Sequence, residues 1–326
     1  MSKAQNISRR RISMAIAMAL MAPFSAVHAD GKPVQILVGF PAGGGSDAIA
    51  RILAEPMQQV LGNPVVVENK PGAGGQIAAQ TLKAAAPDGK TLFLSHDHSV
   101  TILPMVTRNP GFDTAKDFVP VAGFATFVNA FALSGNTPAK DFKSYVAWVK
   151  QQGGQGAVGI PAPASVPQFM VQEIARRNGL DLVAAPYKGS APMMQDMLGN
   201  QIGAGVGSVP DFIQYEKAGK IRVVAVMGTQ RDPALPDVPT LAEVGVTGFE
   251  EVPFYGVFAP AGTPKATLDQ LANAIKVSIE QPAVKEKLTA MGLKVGFMTG
   301  EQLGQREQAY AKVWKKIITD SGFQPK

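Results

Sequence analysis

From Phe40 to Asp47 the chain reads Phe-Pro-Ala-Gly-Gly-Gly-Ser-Asp, three glycines between a β-branched apolar run and a stretch with helical periodicity. A helix beginning there presents several N–H groups without intrahelical partners and carries about half a positive charge, so it attracts anions without a cationic side chain. Loop glycine beyond the needs of a tight turn costs conformational entropy and marks unusual φ/ψ or close approach of a ligand. Ala42, Gly43, Gly44, Gly45, Ser46 and Asp47 are therefore the foremost binding candidates. Ser46 would add a hydroxyl, and Asp47 would either read a donor on the ligand or simply complement the helix dipole.

The same order of strand, small residues, hydroxyl and helix recurs at Pro161-Ala162-Pro163-Ala164-Ser165, at Gly189-Ser190-Ala191-Pro192 and at Gly205-Val206-Gly207-Ser208. Ser165, Gly189, Ser190 and Ser208 join the candidates on this ground, although serine ahead of a helix is also the favoured cap in any α/β protein. After the run Thr91–Leu94 come Ser95, His96, Asp97 and His98. Two imidazoles flanking an acid could hold a metal or shuttle a proton, but no third and fourth ligands stand out, so we read these residues as pocket lining and expect no metal. Lys188 and Asp211 are further polar candidates at strand ends, with a solvated lysine and a first-turn aspartate as the commoner explanations. No G-x-S-x-G nucleophile elbow occurs and no catalytic set is expected.

Gly43-x-Gly45-x-x-Ala48, with Glu68 about 20 residues on, also fits the dinucleotide-binding fingerprint. That alternative would make the chain an exported nucleotide-using oxidoreductase. The export signal, which takes the chain away from the cytosolic nicotinamide pool, stands against it. Arg9, Arg10 and Arg11 precede an apolar run from Ile12 to Phe24, and Val27-His28-Ala29 supplies a small-residue cleavage pattern. Residues 1–29 are thus expected to be a cleaved signal peptide, with the mature chain starting near Asp30 in the periplasm. The run is too short for the roughly 20 residues of a membrane anchor. Ser8-Arg9-Arg10-Arg11-Ile12 fits a twin-arginine signal loosely, and the export route stays open.

Four of the 31 Lys and Arg residues lie in that leader, which has no acid, so 27 basic residues face 25 acidic ones in the mature chain. The near balance removes the basic stripe that a nucleic-acid binder would need, and no nucleic-acid partner is expected. The absence of cysteine excludes disulfides, thiolate metal sites and a lipidated N-terminal cysteine. A 46% apolar composition over this length supports a core divided between two domains.

The elements that must position these residues alternate strand and helix, as in parallel sheets covered by helices. Strands are expected at Val34–Phe40, Val65–Glu68, Thr91–Leu94, Gly156–Ile160, Leu182–Pro186, Ile202–Val206 and Ile221–Met227. Ile49, Ile52, Leu53, Met57, Val60 and Leu61 share a helical face that Gly62 ends. Near the C-terminus Thr263-Pro264 reads as a helix start, and Thr299 with Gln302 as a capping box. The β-prone stretches Val121–Leu133 and Glu251–Phe258 suit two crossings between lobes, which places residues 30–130 with 253–326 in one lobe and 131–252 in the other.

Several of these segments together resemble the substrate-binding receptors of tripartite tricarboxylate transporters, the Bug family. The resemblance is carried by the Phe40–Asp47 loop, Val65-Val66-Val67-Glu68-Asn69-Lys70-Pro71-Gly72-Ala73-Gly74-Gly75, Ala86-Pro87-Asp88-Gly89, Pro186-Tyr187-Lys188-Gly189-Ser190-Ala191-Pro192, Lys217-Ala218-Gly219-Lys220, Leu235-Pro236-Asp237-Val238-Pro239-Thr240 and Ala259-Pro260-Ala261-Gly262-Thr263-Pro264. It implies a type II periplasmic binding-protein fold, two α/β lobes with a ligand cleft between them. It further implies a small organic acid as ligand, permease subunits as membrane partners, no cofactor and no catalysis. We expect the receptor to be a monomer, and a ligand sensor without a transport role is the remaining alternative. The chain departs from its relatives at His96-Asp97-His98, where small residues are usual, around Pro167–Phe169, where a histidine is often seen, and at Gly207, where an aspartate is common.

Overall fold

The computed structural model describes residues 32–325, and the expected signal peptide with its cleavage site lies outside them. β1 (Val34–Val38) leads through the glycine loop to α1 (Gly45–Leu61), β2 (Val65–Asn69), α2 (Gln76–Ala84) and β3 (Thr91–His96). A five-residue π turn, His98–Ile102, follows β3, and the chain then reaches β4 (Phe118–Thr126) and β5 (Asn129–Ser134). Next come α3 (Phe142–Gln151), β6 (Gln155–Ile160), α4 (Val166–Asn178), β7 (Asp181–Pro186), α5 (Ser190–Leu198), β8 (Ala204–Ser208), α6 (Val209–Lys217) and β9 (Ile221–Val226). The chain closes with β10 (Phe254–Pro260), α7 (Lys265–Glu280), α8 (Pro282–Ala290), β11 (Lys294–Thr299) and α9 (Gly300–Asp320).

Two sheets result, ordered β11-β4-β10-β3-β1-β2 and β7-β6-β8-β5-β9. In the first, β1 lies parallel between β2 and β3. The connection leaving β1 therefore turns to one side and the next returns to the other, so the carboxyl end of β1 is a topological switch point, where open α/β sheets bind ligands. The second sheet repeats this, with β6 parallel between β7 and β8. The Gly43–Gly45 loop and the Pro161–Ser165 loop thus occupy equivalent positions, one on each sheet.

Local sequence accounts for most of these elements. Ile49, Leu53 and Met57 are buried along α1, and Gly62 ends the helix in the left-handed region at φ 67°, its N–H donating to the Gln58 carbonyl. The Thr299–Gln302 capping box opens α9 as expected. α7 begins one residue later than its sequence signal, with Pro264 at the cap, and the Thr263 hydroxyl donates to the Pro260 carbonyl instead. β8 lies two residues beyond the expected Ile202–Val206, because its ladder with β5 begins at Ala204. β11, which has no strong period-2 signal, forms only as an antiparallel partner of β4.

The stretches expected to be simple crossings are full sheet members: β4 and β10 pair antiparallel in the first sheet, and β5 lies within the second. The passage between sheets is confined to Phe127 and Val128 on the way out and to the segment after Val226 on the way back. The two passages touch, since the Phe127 N–H donates to the Pro253 carbonyl at 3.2 Å. α9 buries Tyr310 and Trp314 completely against Phe169, Phe249 and Phe254, which fixes the C-terminal helix over the core.

Candidate functional site

The glycine loop organises itself before it meets anything else. Gly43 takes φ 85°, and its N–H donates to Asp47 Oδ2 at 2.9 Å. Arg51, one turn on, bridges the same carboxylate at 2.9 Å. Burial pushes the Asp47 carboxyl up, but the Arg51 and Gly43 hydrogen bonds outweigh it and hold the group below the usual carboxylate range. Both oxygens of Asp47 are thus engaged by neighbours in sequence, the Gly43 N–H ahead of α1 and the Arg51 guanidinium one turn on. The cap of α1 is Gly44, with no side-chain cap, so Ser46 lies inside the helix and does not cap it. The N–H groups of Ser46 and Asp47, in that first turn, have no carbonyl of their own helix to meet.

The hydroxyls at the other loops are also not helix caps. Ser165 stands at the N-cap of α4, yet its Oγ donates back to the Ala162 carbonyl at 2.7 Å. Ser208 at the head of α6 and Ser190 at the head of α5 both donate to Asp211, at 2.6 Å each. Asp211 in turn reaches across to the first sheet's loop, where its Oδ1 accepts the Gly45 N–H at 2.9 Å. A Cβ on Gly45 would stand 2.8 Å from that oxygen, and one on Gly44 would stand 3.1 Å from Ser190 Oγ. The second sheet's loops thus approach two of the three glycines closely enough that a side chain at Gly45 would displace the Asp211 carboxylate and one at Gly44 would crowd Ser190.

A cleft between the switch points is lined by Gly44, Gly45 and Ser46 from one side and by Pro161, Ala162, Ser165, Val166, Ser190, Ser208 and Asp211 from the other. Aromatic rings form its wall. His96 stacks on Phe40 at 5.1 Å between centroids and meets Tyr255 edge-on at 5.5 Å, while Phe127 lies 4.8 Å from Tyr255. Ser46 Oγ and Tyr255 Oη are 3.2 Å apart. Burial pushes the Tyr255 hydroxyl far above its ordinary pKa, so it remains a neutral donor and acceptor.

Asp97 is buried beneath this wall, where it accepts from Tyr310 Oη at 2.9 Å and lies 3.3 Å from His96 Nδ1. His98 sits in the π turn at 5% exposure, with no hydrogen-bond partner for Nδ1. Burial first, and the neighbouring His96 second, push its pKa down to about 4, so its imidazole is neutral near pH 7. The cleft is lined by two carboxylates, Asp97 and Asp211, and by no lysine or arginine. Among the described residues no group of three or more His, Asp or Glu side chains gathers as metal ligands would.

Gly44, Gly45, Ser46, His96, Asp97, His98, Ser165, Ser190 and Ser208 therefore share one cleft. Ala42 and Gly43 are exposed outside its lining, and Ser95 is buried behind it with its Oγ donating to the His96 carbonyl. Lys188 and Gly189 line a separate groove with Pro41, Gly74 and Tyr187. Sequence reasoning passed over Phe40, Phe127, Asn129 and Tyr255, and it ranked Asp211 low. Phe127 and Tyr255 lie in segments read only as crossings, and nothing local distinguishes them from core aromatics.

The profile of the tripartite tricarboxylate transporter family receptor matches residues 49–323. The chain belongs to that family. A Cupriavidus necator protein described as "UPF0065 protein in gbd 5'region" is 32% identical over 292 residues, covering 90% of this chain and 88% of that one. Among solved structures, the periplasmic binding protein BugD is 31% identical with a TM-score of 0.85, covering 90% of this chain and 98% of its own. Rpa4515 of Rhodopseudomonas palustris, solved with adipate, is 27% identical with a TM-score of 0.86, covering 91% of this chain and 100% of its own. MatC of the same organism, solved with bound malate, is 28% identical with a TM-score of 0.81, covering 88% and 98%. The fold is thus the type II periplasmic binding-protein fold, two α/β lobes about a cleft, and the protein is a periplasmic solute-binding receptor of this family. The family is one of solute-binding receptors.

Proposed function

We propose that the receptor holds a small organic carboxylate in this cleft and delivers it to the membrane permease subunits of a tripartite transporter. The observation that carries the reading is the convergence of two helix N-termini, those of α1 and α4, from the switch points of both sheets onto one cleft. The amides of Ser46 and Asp47 supply the pull on the carboxylate, with Ser46 Oγ beside them. Adipate and malate in two structural neighbours support the ligand class.

On this reading the lobes follow the expected division of residues 30–130 with 253–326 and residues 131–252, with the first boundary moved back to the Phe127–Val128 passage so that all of β5 belongs to the second lobe. The protein acts as a monomer exported by a signal cleaved near Ala29. Ligand contacts available only with the lobes together would drive a hinge motion about Phe127–Val128 and Pro253. Among the described residues no helix is long and apolar enough to cross a membrane. The test is mass spectrometry of the small molecules released on denaturing protein purified from its native periplasm. An organic acid in near-stoichiometric amount is expected, and a neutral or purely cationic molecule overturns the reading.

A further inference from the structure

Asp211 brings a negative charge into a cleft whose foremost attraction is for negative charge. Its carboxylate offers about four lone-pair sites. Oδ1 accepts from the Gly45 N–H and Ser190 Oγ, and Oδ2 from Ser208 Oγ, which leaves one site on Oδ2. No lysine or arginine lines the cleft to neutralise it, and Arg51 is bound to Asp47. Independently, His98 lines the same cleft with its Nδ1 buried and unpartnered. The faces of Phe40, Phe127 and Tyr255 add the kind of surface that attracts an ammonium group.

We propose that Asp211 sets the specificity of the cleft by selecting a carboxylate that also carries a hydrogen-bond donor, an ammonium group above all, over a plain acid of the same skeleton. The inference rests on the carboxylate reading above and deepens it. One end of the ligand meets the α1 amides, and its ammonium group meets the open site on Asp211. A ligand bringing only negative charge faces Asp211 and Asp97 with no cation to offset them. The three donors around Asp211 fix its orientation, so the acceptor is in place before the ligand arrives.

The test is calorimetric titration of the processed protein with propionate against alanine, succinate against aspartate, and 3-phenylpropionate against phenylalanine, with propylamine as the amine lacking an acid. In at least one pair the amino compound should bind tenfold or more tightly, the size of a hydrogen bond to a charged group. Asp211→Asn, which keeps the side-chain shape, should bring that preference below about threefold by weakening the amino compound. Plain acids binding as tightly as their amino partners overturn the proposal, as does a preference that survives Asp211→Asn. Silence from all seven compounds at millimolar concentration overturns it too, and leaves the carboxylate reading to the co-purified ligand. Propylamine binding as tightly as alanine sinks the carboxylate reading instead, with the role of Asp211 in choosing an ammonium group still supported.

Discussion

Gly45→Ala tests the contact that joins the lobes. Gly45 has ordinary helical backbone in the first turn of α1, so alanine costs nothing in φ/ψ, and helix propensity favours it by up to about 1 kcal/mol. Its Cβ, however, would lie 2.8 Å from Asp211 Oδ1 and 3.4 Å from Pro210 Cβ. The carboxylate has to withdraw from the Gly45 N–H, which weakens the bond between the two loops. A hydrogen bond to a charged group is worth about 1.5–3 kcal/mol. Closure is linked to binding, so the loss should appear as a roughly ten- to hundredfold weaker Kd for the co-purified ligand. Isothermal titration gives the Kd, and small-angle scattering of the liganded protein reports whether the lobes stay together. The denaturation midpoint should remain at or above that of the wild type. Affinity within twofold of wild type and unchanged scattering would refute the argument, and a large loss of stability would show that Gly45 serves the fold rather than the clasp.

Two further outcomes follow from the polar groups behind the cleft wall. The His98 pKa is pushed down to about 4 in the fold, so between that pH and about 6.5 the unfolded chain takes up a proton that the folded chain refuses. Stability from this group is therefore complete above pH 6.5 and falls as the pH drops towards 4, by about 3 kcal/mol over the window. Comparing His98→Gln with wild type by denaturant titration at pH 4.5 and 7 cancels the other titrating groups, and an identical pH dependence in the two proteins would sink the argument. Tyr310→Phe removes the hydroxyl that donates to the buried Asp97 carboxylate and should cost about 1–3 kcal/mol in the same assay, and a loss below 0.5 kcal/mol, about the size of a surface substitution, would show that the bond contributes little.

The sequence by itself determined whatever depends on near neighbours. The apolar face of α1, its glycine stop, the capping box of α9 and the strands β1 to β3 and β6 to β9 all follow from periodicity and caps that act within a few residues. The three-glycine loop was legible for the same reason: φ 85° at Gly43 and the Asp47–Arg51 pair are local chemistry. Tertiary structure alone decided what the loop faces. Asp211 meets Gly45 from 166 positions away, and Tyr310 reaches Asp97 across 213. Neither pairing has a local signature, because a first-turn aspartate and a helical tyrosine look alike whether they face solvent or a buried partner. The switch points of two separate sheets had to be brought opposite each other before the electrostatics of the cleft, acidic and without a cation, could exist.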